Sequence, residues 1–308
     1  MRNEMIRTLE AIAEADPNVM LVTGDLGFGV LTRFSERFPR QFVNAGVAEQ
    51  NMTGMAVGMS LEGKTVFTYS IGNFPTLRCL EQIRNDACYH NANVKIVCIG
   101  GGFTYGSLGI SHHATEDLAI LRALPNITVI APGDPVETAA ATRAVYDTPG
   151  TCYLRLGRGG EPRMHAGSIN FQVGKAIRLF EGEDVAILST GGILKVAYDA
   201  REKLKSSGLR VGLFSMHTVK PIDHELVTEL AGTVRLIVTI EEHTVIGGLG
   251  GAVAEIIAQI SGPNANLEII GLRDCFSSVV GDQEYLRSVY GLTANDIVSR
   301  VCSRLILP

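Results

Sequence analysis

A glutamate, two adjacent histidines and two arginines are the residues of this 308-residue chain best suited to chemistry. Glu49 stands in Asn44-Ala45-Gly46-Val47-Ala48-Glu49-Gln50-Asn51-Met52, just ahead of Met55, Ala56, Val57 and Met59. That stretch predicts a helix over 47–61 that is apolar nearly all round, and such helices are buried. A carboxylate in its first turn either caps the helix and meets the positive end of its dipole, or is a desolvated acid with a raised pKa, held for proton transfer. His112 and His113 close a long glycine-rich run that begins at Gly100. Histidine is the usual proton shuttle near neutral pH. Adjacent histidines are also a common surface feature, and no third ligand stands at the spacing of a zinc site. Arg155 and Arg158 suit a phosphate or carboxylate, or an ion pair between domains. Tyr69 and Phe74 flank a short turn and either stack on a planar heterocycle or fill the core.

The elements that must position these groups alternate regularly. Short apolar runs predict strands over 19–23, 65–68, 94–99, 127–130 and 151–154, and helical patterns fall at 3–15, 47–61, 74–89, 116–124 and 135–146. This is the βα alternation of a parallel sheet covered on both faces. A stretch rich in glycine and proline near 157–167 reads as a linker. Alternation then resumes, with strands over 185–189, 210–214, 236–240 and 267–271 and helices over 194–206, 223–230, 250–260 and 293–305. The expectation is two successive α/β domains, 1–160 and 172–308, joined by a linker over 161–171. In such sheets ligands bind beyond the carboxyl ends of strands. This draws attention to the segments after strands: 24–29, 69–74, 100–117, 156–159 and 241–243.

Composition narrows the function classes. The chain is 46% hydrophobic and 19% charged, enough for substantial cores. Its net charge of −5, with no basic run, makes nucleic acid and anionic membrane poor partners. No apolar stretch is long enough to span a bilayer, and the N-terminus predicts an amphipathic helix rather than a signal peptide. Six cysteines with no Cys-x-x-Cys pair suit reduced thiols of a cytoplasmic protein. The loop Gly24-Asp25-Leu26-Gly27-Phe28-Gly29 is at most a weak phosphate-binding pattern. No G-x-x-x-x-G-K-[ST] occurs, and no G-x-G-x-x-G lies between a strand and a helix.

The order and spacing of these signals resemble the transketolase family of thiamine diphosphate enzymes. The chain looks like the C-terminal half of a transketolase or of 1-deoxyxylulose-5-phosphate synthase, over nearly its whole length. The likeness is carried by Gly24-Asp25-Leu26, Asn44 through Met52, Tyr69 through Phe74, Ser111-His112-His113-Ala114-Thr115-Glu116-Asp117-Leu118, Ala131-Pro132-Gly133-Asp134-Pro135-Val136-Glu137 and Leu156-Gly157-Arg158. The resemblance implies a pyrimidine-binding domain followed by the family's C-terminal domain. It implies that Glu49 hydrogen-bonds N1′ of the cofactor's aminopyrimidine, so that the 4′ nitrogen can take the proton from C2 of the thiazolium. It assigns Tyr69, Ile71 and Phe74 to the pocket gripping the pyrimidine, although many relatives have an aromatic where Ile71 stands. It makes Asp25 an interface acid near the thiazolium, His112 a substrate-facing proton shuttle and Arg158 a ligand of the substrate phosphate. His113 receives no role.

One family feature is missing. Magnesium and the diphosphate are held in the family through Gly-Asp-Gly and a later Asn. Gly24-Asp25-Leu26, Gly133-Asp134-Pro135 and Gly281-Asp282-Gln283 all fail that pattern. The resemblance therefore implies a split enzyme. A separate N-terminal subunit would carry Gly-Asp-Gly and hold most of the Mg2+ and diphosphate contacts, in an α2β2 assembly acting on sugar phosphates. The alternatives are a deoxyxylulose-phosphate-like synthase, a 2-oxoacid dehydrogenase β-type subunit and a non-catalytic partner half.

Overall fold

The computed structural model describes residues 1–305; the last three residues of the expected second domain lie outside that range. The first half runs α1 (Arg2–Ala15), β1 (Val19–Thr23), α2 (Thr32–Arg37), β2 (Phe42–Asn44), α3 (Glu49–Leu61), β3 (Thr65–Ile71), α4 (Leu80–Gln82), β4 (Val94–Ile99), α5 (Asp117–Arg122), β5 (Ile127–Ile130), α6 (Pro135–Asp147) and β6 (Thr151–Leu156). Residues 157–176 carry neither helix nor strand. The second half runs β7 (Ile177–Phe180), β8 (Val185–Thr190), α7 (Leu194–Ser206), β9 (Val211–Ser215), β10 (Thr218–Lys220), α8 (His224–Thr233), β11 (Leu236–Thr244), α9 (Leu249–Ile257), β12 (Asn266–Leu272), α10 (Gln283–Val289) and α11 (Ala294–Leu305). Among the described residues, no helix is long and apolar enough to cross a membrane.

Strand alternation sorts the first domain's core into two layers. Val22, Val66, Ile96 and Cys98 face Met52, Ala56 and Val57 of α3 and Leu118 and Leu121 of α5. Leu21, Phe67, Tyr69, Val97 and Ile99 face Met5, Leu9 and Ile12 of α1 and Ala141 and Val145 of α6. Each such side chain contributes about 1.5–3 kcal/mol on burial. Helix starts are set locally: Asp134 accepts from the Glu137 N–H, with Pro135 in the first turn.

Two sheets result, ordered β10-β5-β6-β4-β3-β1-β2 and β12-β11-β8-β9-β7. Each is parallel except at one edge. β7 pairs antiparallel with β9, and β10 pairs antiparallel with β5. At that second edge β10, which comes from the second half, completes the first half's sheet. Its three residues give no periodic signal in the sequence.

Two helices also differ from expectation. The segment predicted as a helix over 74–89 is a 3-10 turn (Leu77–Cys79), the short α4, then π-helical turns (Ile83–Cys88). Helix α3 is not buried all round. Met52, Thr53, Ala56 and Val57 face the core, while Gln50, Asn51, Gly54, Gly58 and Leu61 are exposed. Among the described residues, nothing covers that face.

Candidate active site

The loops after β1, β3, β4 and β6 meet at the carboxyl edge of the first sheet, and they carry the candidate groups. Glu49 opens α3 and is 2% exposed. Its place in the first turn sets it at the positive end of the helix dipole, while its hydrogen bond goes elsewhere. Its Oε2 instead accepts from Arg78 Nη1 at 2.7 Å. On its other side lies Gly24, where a Cβ would stand 3.3 Å from Glu49 Cγ and 3.6 Å from Oε1. The Arg78 guanidinium lies 4.6 Å from the centre of the Phe74 ring. Phe74 meets His112 edge-on at 5.1 Å, and His112 lies 6.5 Å from Tyr105. A continuous row therefore runs from Glu49 through Arg78, Phe74 and His112 to Tyr105.

His112 is half-buried, with Nδ1 3.0 Å from Ser111 Oγ. Burial, and then the neighbouring His113, hold its pKa below the usual histidine value. The His112 loop needs glycine beside it. Gly72 has φ +52, and a Cβ there would sit 2.9 Å from the His112 carbonyl oxygen. His113 is 1% exposed and serves the loop itself. Its carbonyl accepts from Asn73 Nδ2 at 2.6 Å, its ring meets Phe103 edge-on and Nε2 lies 3.3 Å from the Gly106 carbonyl.

Asp25 is exposed and adopts φ +58, a left-handed conformation that costs a non-glycine residue about 1–3 kcal/mol. Asn44 holds it there. Asn44 Nδ2 donates to Asp25 Oδ1 at 2.8 Å, and the Asp25 N–H donates to Asn44 Oδ1 at 3.1 Å. Ile71 is half-buried at the end of β3.

Tyr69 is corrected. It is 2% exposed and packs in the core layer with α1 and α6, on the sheet face opposite α3. A Cβ on Gly27 would lie 3.2 Å from its ring. Burial pushes its phenol far above the usual range. Tyr69 supports the Gly24–Gly29 turn from below and is not a wall of the Glu49 pocket.

The two arginines separate cleanly. Strand β6 continues through Leu156, which puts Arg155 inside the protein. Its Nε donates to Asp117 Oδ2 at 2.8 Å, and its Nη2 donates to the carbonyls of Ala114 and Glu242 at 2.7 and 3.0 Å. Its ion pair with Asp117 lies within the first half, and the bond to the Glu242 carbonyl is what reaches the second. Arg158 lies past the strand, exposed, on a cleft of about 600 Å³ between the domains. Near Tyr105 stands a second cation, Arg2, a residue that no motif marks. Burial raises the Tyr105 phenol, while Arg2 and Arg158, both nearby, pull it back down. Arg2 has no signal of its own in the sequence, being one basic residue at the start of an amphipathic helix.

The segment 241–243 proves structural. Glu241 accepts from the Leu249 and Gly250 N–H groups at the start of α9. Glu242 accepts from the Phe103 N–H and from Arg287 Nε, both at 2.5 Å. His243 Nε2 accepts from the Ala119 N–H. Asp134, Glu137 and His165 bring three ligand-type atoms within 4.8 Å of one another. Their bonds are already made: Asp134 accepts from the backbone N–H groups of Glu137, Met164 and His165, and Glu137 accepts from the Gly133 N–H, Ser215 Oγ and His165. This is a clasp on the interdomain linker.

Architecture and site together define a two-domain α/β protein whose candidate groups gather at the carboxyl edge of the first sheet. The chain belongs to the transketolase family. Residues 1–162 match the model of the transketolase pyrimidine binding domain, and residues 174–297 match that of the transketolase C-terminal domain. It is 39% identical to a putative transketolase C-terminal section of Methanocaldococcus jannaschii, over 99% of this chain and 96% of that one. It is 34% identical to an apulose-4-phosphate transketolase subunit of Phocaeicola vulgatus, over 96% and 94%. A solved split-gene transketolase, described as an inactive beta4 tetramer, superposes with a TM-score of 0.88 at 37% identity, covering 98% of this chain and 96% of that one.

Proposed function

We propose that this chain is the C-terminal (β) subunit of a two-chain transketolase that uses thiamine diphosphate to move a two-carbon ketol unit between sugar phosphates. The observation that carries this reading is the meeting of a buried carboxylate, an aromatic ring and a half-buried histidine at one sheet edge. Glu49 offers a desolvated oxygen for the N–H of a planar heterocycle, Gly24 leaves the space a Cβ would fill, and Phe74 offers a face for stacking. When bound, the cofactor supplies the carbanion chemistry. Glu49 holds a proton at N1′, and Asp25 stands at the exposed mouth of the same edge. His112, kept neutral at pH 7 by its lowered pKa, accepts or returns a proton at the sugar. Arg158, with Arg2 beside the same tyrosine, binds the phosphate.

The chain has no Gly-Asp-Gly, so Mg2+ and the diphosphate fall to an N-terminal subunit. The exposed face of α3 suits close packing against that subunit in an α2β2 heterotetramer. The six unpaired thiols suit a reducing, cytoplasmic setting. We take the domains as 1–160 and 172–308 with the linker between them.

The test is reconstitution with a subunit of about 270–300 residues that carries Gly-Asp-Gly, followed by a donor–acceptor screen. Ketol transfer by the pair and poor calorimetric binding of thiamine diphosphate by this chain alone are expected. Tight binding by the single chain would refute the split site, and pyruvate decarboxylation in place of ketol transfer would move the reading to the synthase alternative.

A further inference from the structure

We propose that Arg78 is a built-in placeholder for the cofactor's pyrimidine. In the unassembled chain its guanidinium takes the two contacts, the Glu49 carboxylate and the Phe74 face, that the aminopyrimidine takes over on assembly. The inference rests on the cofactor reading above and adds a competition to it.

A buried, unpaired carboxylate is costly. The isolated chain has only half a site, so it must satisfy Glu49 from its own side chains. Arginine suits that task because its guanidinium is planar, donates N–H bonds in its plane and stacks on aromatic faces. A protonated aminopyrimidine has the same three properties. The observed geometry combines them: 2.7 Å from Nη1 to Glu49 Oε2 and 4.6 Å from the guanidinium to the centre of the Phe74 ring.

The two oxygens of Glu49 are not equally available. Oε1 faces the Gly24 backbone, where even a Cβ would come within 3.6 Å. Arg78 reaches Oε2 from the open side, since its side chain is 45% exposed against 3% for Glu49. A heterocycle approaching from that side meets the oxygen that Arg78 holds. Release requires only side-chain rotation. Arg78 sits in the 3-10 turn that opens the irregular helical segment 77–88, and its backbone N–H stays anchored on the Asn73 carbonyl.

The experiment measures thiamine diphosphate affinity by calorimetry, with Mg2+ present, in the assembled two-chain enzyme carrying wild-type, Arg78→Met or Arg78→Lys chains. Removing the competing cation should tighten binding about tenfold in Arg78→Met, the discount from a full charge-assisted bond reflecting Arg78's exposure. Arg78→Lys, charged but not planar, should fall between. A double-mutant cycle with Glu49→Gln, read as thermal midpoints, should show coupling in the free chain and none in the loaded enzyme. Weaker or unchanged affinity in Arg78→Met, or coupling that persists with cofactor bound, overturns the proposal and makes Arg78 a fixed support of Glu49. If Arg78→Met does not fold by circular dichroism, the lysine variant carries the same test of sign. A wild-type assembly that binds no thiamine diphosphate would instead sink the cofactor reading, and would be seen before any variant was compared.

Discussion

At the seam between the domains, Arg155 pairs with Asp117 in the first half and Arg287 with Glu242 in the second, all four largely enclosed, and bonds from Arg155 to the Glu242 carbonyl and from the Phe103 N–H to the Glu242 carboxylate tie the two pairs together. Along the edge above the first sheet, Glu49, Arg78, His112 and Arg158 use the same chemical types. There a buried anion pairs with a half-exposed cation, a histidine rests on one serine, and an exposed arginine lines a cleft. A closed network fixes geometry and has no capacity to bind anything further. Groups with an open side can exchange their present partner for a ligand. Residue type alone does not separate the two regions; the count of bonds already made does.

The comparison is tested most severely at Glu49. In the reconstituted enzyme, Glu49→Gln should lower kcat by about 10²–10⁴-fold, the range for a lost proton-transfer group. Its circular dichroism and thermal midpoint should stay near wild type, because half-exposed Arg78 can turn to water. Near-normal ketol transfer would end the assignment of this edge as the reactive one.

The seam should fail in the opposite manner. Arg155→Met leaves Asp117 buried beside the Tyr153 hydroxyl with its cation gone, and should cost about 3–5 kcal/mol of stability in urea melts. Catalysis by the fraction still folded should persist. A loss of turnover without a loss of stability would erase the distinction between the two regions.

His217 lies where β10 leaves the second half for the first sheet. It is fully buried and stacked on Phe171 at 3.9 Å. Burial lowers its pKa to about 4; Glu137 and Asp223 act to raise it, and His165 to lower it further. The unfolded chain, with an ordinary value near 6.5, therefore binds more protons between pH 6.5 and 4. Stability is held above that window and falls as pH drops through it, by about 3 kcal/mol in all. His165 has the opposite sign. Burial lowers its pKa, but the hydrogen bond and charge of Glu137 outweigh that and raise it. Its contribution is full below the unfolded value and is lost as pH rises through the folded one. Urea melts from pH 7 to 4 should show the slope in wild type and a flatter one in His217→Phe; parallel slopes would remove His217 from the seam's pH response.

The sequence made the central strands legible because they are continuous apolar runs bounded by glycine, proline or polar residues. The runs at Val94–Ile99 and Ile127–Ile130 match the strands end to end. It could not show β10, whose three residues are a strand only because β5 offers an edge. Nor could it show the π-helical turns of Ile83–Cys88, whose pattern also fits an α-helix. At the candidate site, motif position pointed to Glu49, Phe74 and His112, which folding brings to one edge, and also to Tyr69, which it does not. The alternation Val66, Phe67, Thr68, Tyr69 puts that side chain on the far face, a distinction that needs the sheet's two coverings to be known. Arg78 and Arg2 were invisible because their roles come from what folding brings beside them.

Arg158 offers the smallest effect and the finest discrimination. The side chain is exposed, so Arg158→Ala should leave stability unchanged. KM for phosphorylated substrates should rise about tenfold, with kcat largely retained, as expected for a binding contact made equally in ground and transition states. The loss should be partial because Arg2 still stands near Tyr105, and the wild-type advantage should shrink as added salt screens an exposed charge. Steady-state kinetics on matched phosphorylated and unphosphorylated sugars separates the outcomes. A rise confined to the phosphorylated series makes the cleft rim part of the open edge. An equal rise in both series would show that Arg158 orders its loop rather than meeting the phosphate, and would move it to the closed side of the comparison.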